Sequence, residues 1–198
     1  MIHKTTRSIL SVLLAALLLV TSIPLTPAFA DGGAVSPQSE SGESEGLKPA
    51  DDGKYYISTA KQLKEFADKV NKGETDANAV LTADINLSNQ PWYPIGTSSS
   101  NPYSGTFDGD GHTISGLYID SSDTDYQGLF GYVGTFGTVQ NLSVSGTVSG
   151  GMYVGGIAGQ NNGNVINCTF SGSVSGLSLV GGVVGDNRGT VENCYNTG

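Results

Sequence analysis

Proton transfer near neutral pH most often uses a histidine. Once the N-terminal leader described below is set aside, this sequence keeps one, His112. It follows Asp108-Gly109-Asp110-Gly111, where a polar turn residue is the ordinary reading. No His-Glu-x-x-His zinc site occurs, and no serine sits in a nucleophile-elbow sequence. Two acidic groups could meet a cation: Asp108 with Asp110, and Asp120, Asp123 and Asp125 before Gly128. Calcium takes about six to eight oxygens, and repeat-type sites carry an aspartate in every repeat, which these do not. Solvated loop acids are therefore expected. Cys168 and Cys194 occupy the same place in successive units of the repeat set out below, where Leu142 stands one unit earlier. They are expected to stack inside adjacent coils about 4.8 Å apart, within reach of a disulfide. Export favours oxidation, but parallel side chains in register meet with poor torsion angles, so a buried thiol pair serving as small hydrophobes is expected. No catalytic, cofactor-binding or metal-ligating residue is assigned.

The elements that hold these residues repeat. Gly128-Leu129-Phe130-Gly131 returns as Gly156-Ile157-Ala158-Gly159 and as Gly182-Val183-Val184-Gly185. After each phrase come an apolar residue (Val139, Val165, Val191) and an asparagine (Asn141, Asn167, Asn193), all at a spacing of 26. A period between about 20 and 50 residues marks a solenoid or a propeller, and a propeller blade needs about 40–45. A unit this short cannot bury its own apolar face and must stack on its neighbours. The fold expected is all-β: a right-handed parallel β-helix of about four to five coils. In it Asn141, Asn167 and Asn193 form a ladder at a bend, because asparagine tolerates the left-handed conformation and its amide can bond to the next.

Val154-Gly155-Gly156-Ile157-Ala158-Gly159-Gln160-Asn161-Asn162-Gly163-Asn164-Val165-Ile166-Asn167-Cys168, repeated from Val180 to Cys194, resembles the GLUG motif family. Those glycine-rich repeats occur in bacterial surface and secreted proteins, some adhesin-like, and in N-terminal regions of immunoglobulin A1-cleaving metallopeptidases. The match is looser at Gly128, where Tyr132 to Phe136 makes a turn two residues longer. The resemblance implies a surface-exposed β-solenoid and supplies no activity.

Residues 1–30 read as a secretory signal: Lys4 and Arg7, an apolar Ile9–Val20, and Ala28-Phe29-Ala30 with cleavage after Ala30. The apolar run is too short to span a membrane, so none is spanned after signal removal. Residues 31–52, rich in Ser, Glu and Gly, read as a disordered acidic linker. Residues 53–79 read as an N-terminal cap. Leu63, Phe66, Ala67 and Val70 form one helical stripe, with Thr59 and Gln62 at capping-box spacing and Gly73 at its end. Such a helix would cover the open first coil. Residues 80–198 read as the β-helix, with repeats at 128–155, 156–181 and 182–198. Leu81, Ala83, Ile85 and Leu87 alternate as a half-buried strand, and Trp92 is expected to plug the first coil. Ile114, Leu117 and Ile119 precede Val139, Leu142 and Val144 at one constant interval, so a coil is expected before the recognisable motif.

The whole sequence carries a net charge of −9, from 9 basic and 18 acidic residues. That opposes nucleic acid or an anionic membrane surface as partner. A lyase built on this fold would need carboxylates and a base on one outer face. The expected outward ladders, Gln140, Ile166, Glu192 and Ser143, Thr169, Tyr195, carry one carboxylate in six. The function expected is a non-catalytic, secreted, cell-surface repeat module, adhesin-like or a spacer, with a host or cell-surface ligand such as a glycan. A carbohydrate-binding or polysaccharide-cleaving β-helix is the alternative. Asn196 falls where Val144 and Phe170 are expected to be buried, so the polypeptide is expected to continue past Gly198 or to be a truncated product, with end-to-end self-association as a consequence of an open coil.

Overall fold

The computed structural model describes residues 46–198. The signal, its cleavage at Ala30 and most of the linker lie outside the described residues. Glycine-punctuated runs of β-branched residues cannot propagate a helix but fit short pleated segments, and the described residues accordingly fold as a β-solenoid of about six turns with one short helix by the first turn. Its first half comprises β1 (Lys54–Ile57), α1 (Ala60–Asn71), β2 (Asn78–Leu81), β3 (Ile85–Asn86), β4 (Thr106–Asp108), β5 (Thr113–Asp120) and β6 (Phe130–Val133). Its second half comprises β7 (Thr138–Ser149), β8 (Met152–Gly155), β9 (Ala158–Asn161), β10 (Asn164–Ser175), β11 (Ser178–Gly181), β12 (Val184–Asn187), β13 (Thr190–Glu192) and β14 (Tyr195–Asn196).

Every pairing between these strands is parallel, and they form three sheets. The largest stacks β1, β2, β4, β7, β10 and β13 in order. Its inward ladder runs Tyr55, Ala79, Phe107, Val139, Val165, Val191. A second sheet stacks β6, β9 and β12, and a third pairs β8 with β11. Six rungs stand where four to five were expected, because β1 and β2, in or at the edge of the segment read as cap, supply the first two. Part of the stretch read as linker is packed: Leu47 is buried, and its N–H donates to Glu65 Oε2 at 2.7 Å.

One register differs from the periodicity. Ile114 pairs with Val144, and Leu117 and Ile119 pair with Gly146 and Val148 across a bulge, so the residue under Val139 is Phe107. The constant interval misled because this coil is longer than the later ones, with its extra residues in the turn Gly109–His112, at the bulge, in the loop after β5 and in the turn between β6 and β7. The half-buried stretch Leu81–Leu87 keeps its alternation but divides into β2 and β3 at the corner 82–84.

The helix is capped as its spacing implies. Thr59 Oγ1 accepts from Gln62 N–H at 3.2 Å, and Gln62 Oε1 accepts from Ser58 N–H at 2.9 Å. Leu63, Phe66, Ala67 and Val70 are buried. Phe66 meets Tyr55, Tyr103 and Phe107 at ring-centroid distances of 5.6, 6.2 and 5.9 Å. At the far end of α1, Asn71 Nδ2 donates to Pro94 O and Asn71 Oδ1 accepts from Gly96 N–H, each at 2.9 Å. Those backbone groups flank Ile95, which bridges to Phe130 of the second sheet. The asparagine amide thus stands in for the missing strand at that edge and blunts it.

Replacing Asn71 by alanine removes both bonds and leaves backbone groups of the buried Pro94 and Gly96 unpaired. It should lower unfolding stability by about 1–3 kcal/mol. Urea denaturation reads this as a lower midpoint at unchanged slope.

Candidate functional site

Three features could carry function: the asparagine ladder with its acidic end, the cysteine pair, and a cleft between the segments around Trp92 and Tyr126. The ladder arises at a corner. Asn141, Asn167 and Asn193 have φ of 53°, 52° and 52°, the left-handed region that asparagine adopts more readily than other side chains. Asn193 Nδ2 donates to Asn167 Oδ1 at 3.2 Å, Asn167 Nδ2 to Asn141 Oδ1 at 3.0 Å, and Asn141 Nδ2 to Asp108 Oδ1 at 3.0 Å. Asp108 terminates the chain of amides as its final acceptor. It also accepts from Asp110 N–H at 2.9 Å and from Gln140 Nε2 at 2.7 Å. Burial pushes its carboxyl up, but the Asp110, Asn141 and Gln140 hydrogen bonds outweigh that and hold it below the usual range. Val139 and Val165 are fully buried beneath the ladder, and Val191, on the last rung, is 38% exposed.

A second ladder was not legible beforehand. Asn161 is fully buried, and its Nδ2 reaches Asn187 Oδ1 and Thr190 O at 2.9 Å while its Oδ1 accepts from Gly163 N–H. Asn187 closes the same ring with Gly189. The signal was present as Asn-x-Gly in two successive units. It was obscured one unit earlier, where Val133 replaces asparagine and the longer turn closes through Gly137 N–H to Gly134 O instead.

Cys168 and Cys194 are both free thiols. Cys168 is fully buried and Cys194 partly so, and Cys168 N–H donates to Cys194 Sγ at 3.3 Å. Hydrogen bonding from the Cys168 side chain lowers the Cys194 thiol to about 6 against the effect of burial, and the same contact together with burial pushes Cys168 well up. His112 Nδ1 sits 3.2 Å from Asp84 Oδ1, which also accepts Thr113 N–H. That backbone bond, and then His112, hold the Asp84 carboxyl down. Among the described residues no three His, Cys, Asp or Glu side chains converge as metal ligands would. Asp120 and Asp123 are exposed, and Asp125 Oδ1 accepts Met152 N–H at 2.8 Å.

The cleft encloses about 190 Å³. One wall is Trp92–Pro94 with Thr97, and the other is Ser121 and Thr124–Gln127. Both walls are pinned to the rungs. Trp92 N–H donates to Tyr118 O, its Nε1 donates to buried Leu129 O at 3.1 Å, and Ile95 N–H donates to Leu129 O. Opposite, Tyr126 and Gln127 donate to Met152 O and Tyr153 O. Trp92 is 5% exposed, a core plug, whereas its neighbour Tyr93 is 78% exposed. Tyr126 stacks on Tyr153 of the next coil, centroids 4.7 Å apart and planes 4° from parallel. Burial, then the Tyr153 and Asp125 charges, push the Tyr126 phenol up, so it stays a donor. The sequence showed a lone tryptophan here, because Tyr126 lies a full coil downstream and only the winding of the chain brings it alongside.

Residues 150–175 match the GLUG motif. The chain carries a GLUG repeat. The matched residues are one turn of the solenoid, from the corner before β8 through β9 to the end of β10. The chain is 35% identical over 116 residues to a protein named Gly-rich membrane protein from Evansella cellulosilytica, covering 55% of this chain and 13% of that protein. It is 39% identical over 95 residues to Halomucin from Haloquadratum walsbyi, covering 46% of this chain and 1% of that protein. It therefore spans a small part of the length of these relatives. A crystal structure described as an immunoglobulin A1 protease from Bacteroides ovatus is similar at a TM-score of 0.40 and 18% identity, over 75% of this chain and 76% of that one. Among the described residues no helix is long and apolar enough to cross a membrane.

Two measurements test the site chemistry. A carboxyl held low in the fold contributes stability above its unfolded pKa of about 3.9 and loses it as pH falls through the lower folded value. The melting temperature of the native chain should therefore fall more steeply on acidification from pH ~5 than that of Asp108→Asn. Alkylation of native protein near neutral pH should modify Cys194 first, since thiolate is the nucleophile, and Cys168 only after denaturation. Mass mapping of labelled peptides separates the two.

Proposed function

We propose that this chain is a non-catalytic, extracellular surface module, an adhesin-like repeat that acts as a stiff spacer and display scaffold. The observation that carries the reading is the in-register stack itself. Its outward polar groups are largely spent on one another along the axis, as in Asp108–Asn141–Asn167–Asn193 and in Thr169 Oγ1 to Ser143 Oγ at 3.1 Å. A GLUG turn at residues 150–175, and relatives named as a membrane protein and as Halomucin, support placement at a cell surface. Export rests on the signal read in residues 1–30. His112 is engaged with Asp84, Asp108 has both oxygens bonded, and Arg188 pairs with Asp186 at 2.9 Å, which leaves each with a structural task.

Antibody raised to the solenoid should label intact producing cells, and protease added outside should remove that label. Label confined to broken cells would refute the placement. Incubation of the purified chain with polyuronates should release no unsaturated sugar, and release would establish the cleaving alternative instead.

A further inference from the structure

The cleft between Trp92 and Gln127 holds groups that the fold leaves unused. Gln127 is 4% exposed, yet it lines the cleft. Its Nε2 donates to Asp125 O at 2.8 Å, which fixes the amide's orientation, and among the described residues no donor meets its Oε1. Asp125 spends Oδ1 on Met152 N–H and has no donor on Oδ2 among the described residues. Tyr93, 78% exposed on the opposite wall, offers a bare ring face and a phenol without a partner among the described residues. Tyr126 sits at φ 59° and Tyr153 at φ 61°. Leu179, at the same corner one coil on, has φ 53°, so this conformation belongs to the winding of the coils. It places the two rings in a stack on successive coils, with Tyr126 lining the cleft.

We propose that this cleft binds one ring of a non-acidic glycan, neutral or amine-bearing. A pyranose has an apolar face of C–H groups that stacks on an aromatic plane and a rim of hydroxyls that donate hydrogen bonds. Tyr93 supplies the plane, Gln127 Oε1 and Asp125 Oδ2 accept from the rim, and Ser121 and Thr124 add hydroxyls of either sense. An apolar wall with a few convergent polar groups is the usual composition of a ligand site. The volume lies below the ~300–1,000 Å³ that takes a drug-sized ligand, which suits a single ring. The lining includes Asp125 and no lysine or arginine, so uronates and sulfated sugars are repelled.

This rests on the surface-module reading, but the two fail separately. Titration of the purified chain with sugar does not depend on where cells place it. Isothermal titration would use cellotriose, fully deacetylated chitotriose and trigalacturonate. The expected result is saturable binding of cellotriose or chitotriose, none of trigalacturonate, and affinity at least about tenfold weaker in Tyr93→Ala. Tyr93 is exposed, so its removal should leave the melting curve unchanged. Asp125→Asn keeps the acceptor for Met152 N–H and should weaken chitotriose more than cellotriose. Three results would overturn the assignment: no saturable binding of either non-acidic sugar, trigalacturonate binding as tightly as they do, or an unaltered affinity in a folded Tyr93→Ala.

Discussion

The structure depends on rung-to-rung hydrogen bonding between parallel strands in register. Each inward side chain must then accept, about 4.8 Å above and below it, the side chain at the same place in the neighbouring coil. That constraint explains the uneven sizes along the main ladder. Ala79 leaves space between Tyr55 and Phe107, and the Phe66 ring from α1 packs against both. Gly156 plays the complementary part against Phe170, whose ring occupies the space a Cβ would need. At Gly172, with φ 145°, an added Cβ would strike the carbonyl oxygen of Gly146 one rung below. Gly172 thus marks a place where one coil touches the next, and Gly156 one where two sides of the same coil meet.

Corners and ends pose the opposite difficulty, because backbone groups there lose their rung partners. The chain answers with amides. Asn161 and Asn187 satisfy turn backbone inside the stack, Asn141, Asn167 and Asn193 bind one another outside it, and Asn71 mimics a strand where the second sheet gives way to the helix. An asparagine side chain is a peptide group on a short tether. It can supply one donor and one acceptor where a strand would supply the same.

Legibility from sequence followed repetition. The outer asparagine ladder and the helix cap could be read because their spacing is regular and their chemistry local. The register of β5 could not, since Phe107 lies beneath Val139 only after a longer coil and a bulge. The early rungs were underestimated for the same reason: no motif marks β1 or β2, and Ala79 gives no apolar signature. The cleft was invisible because it is made by adjacency across coils. Tyr93 and Tyr126 share no period, and a Gln127 oxygen left open to the cleft among the described residues is a property of packing that composition does not record.

Along the main ladder the contour length of chain between rungs is uneven. The steps from Tyr55 to Ala79, from Ala79 to Phe107 and from Phe107 to Val139 all differ, each longer than the one before. The steps from Val139 to Val165 and from Val165 to Val191 are equal. Only there does one unit substitute for another without remaking a corner. An in-frame gene duplication of a single late unit would lengthen the rod by about one strand spacing, about 4.8 Å, and leave its cross-section alone. The length of the stack could then be tuned by unequal recombination in steps of one repeat, while the irregular early coils that hold the cleft would be passed on as a fixed head.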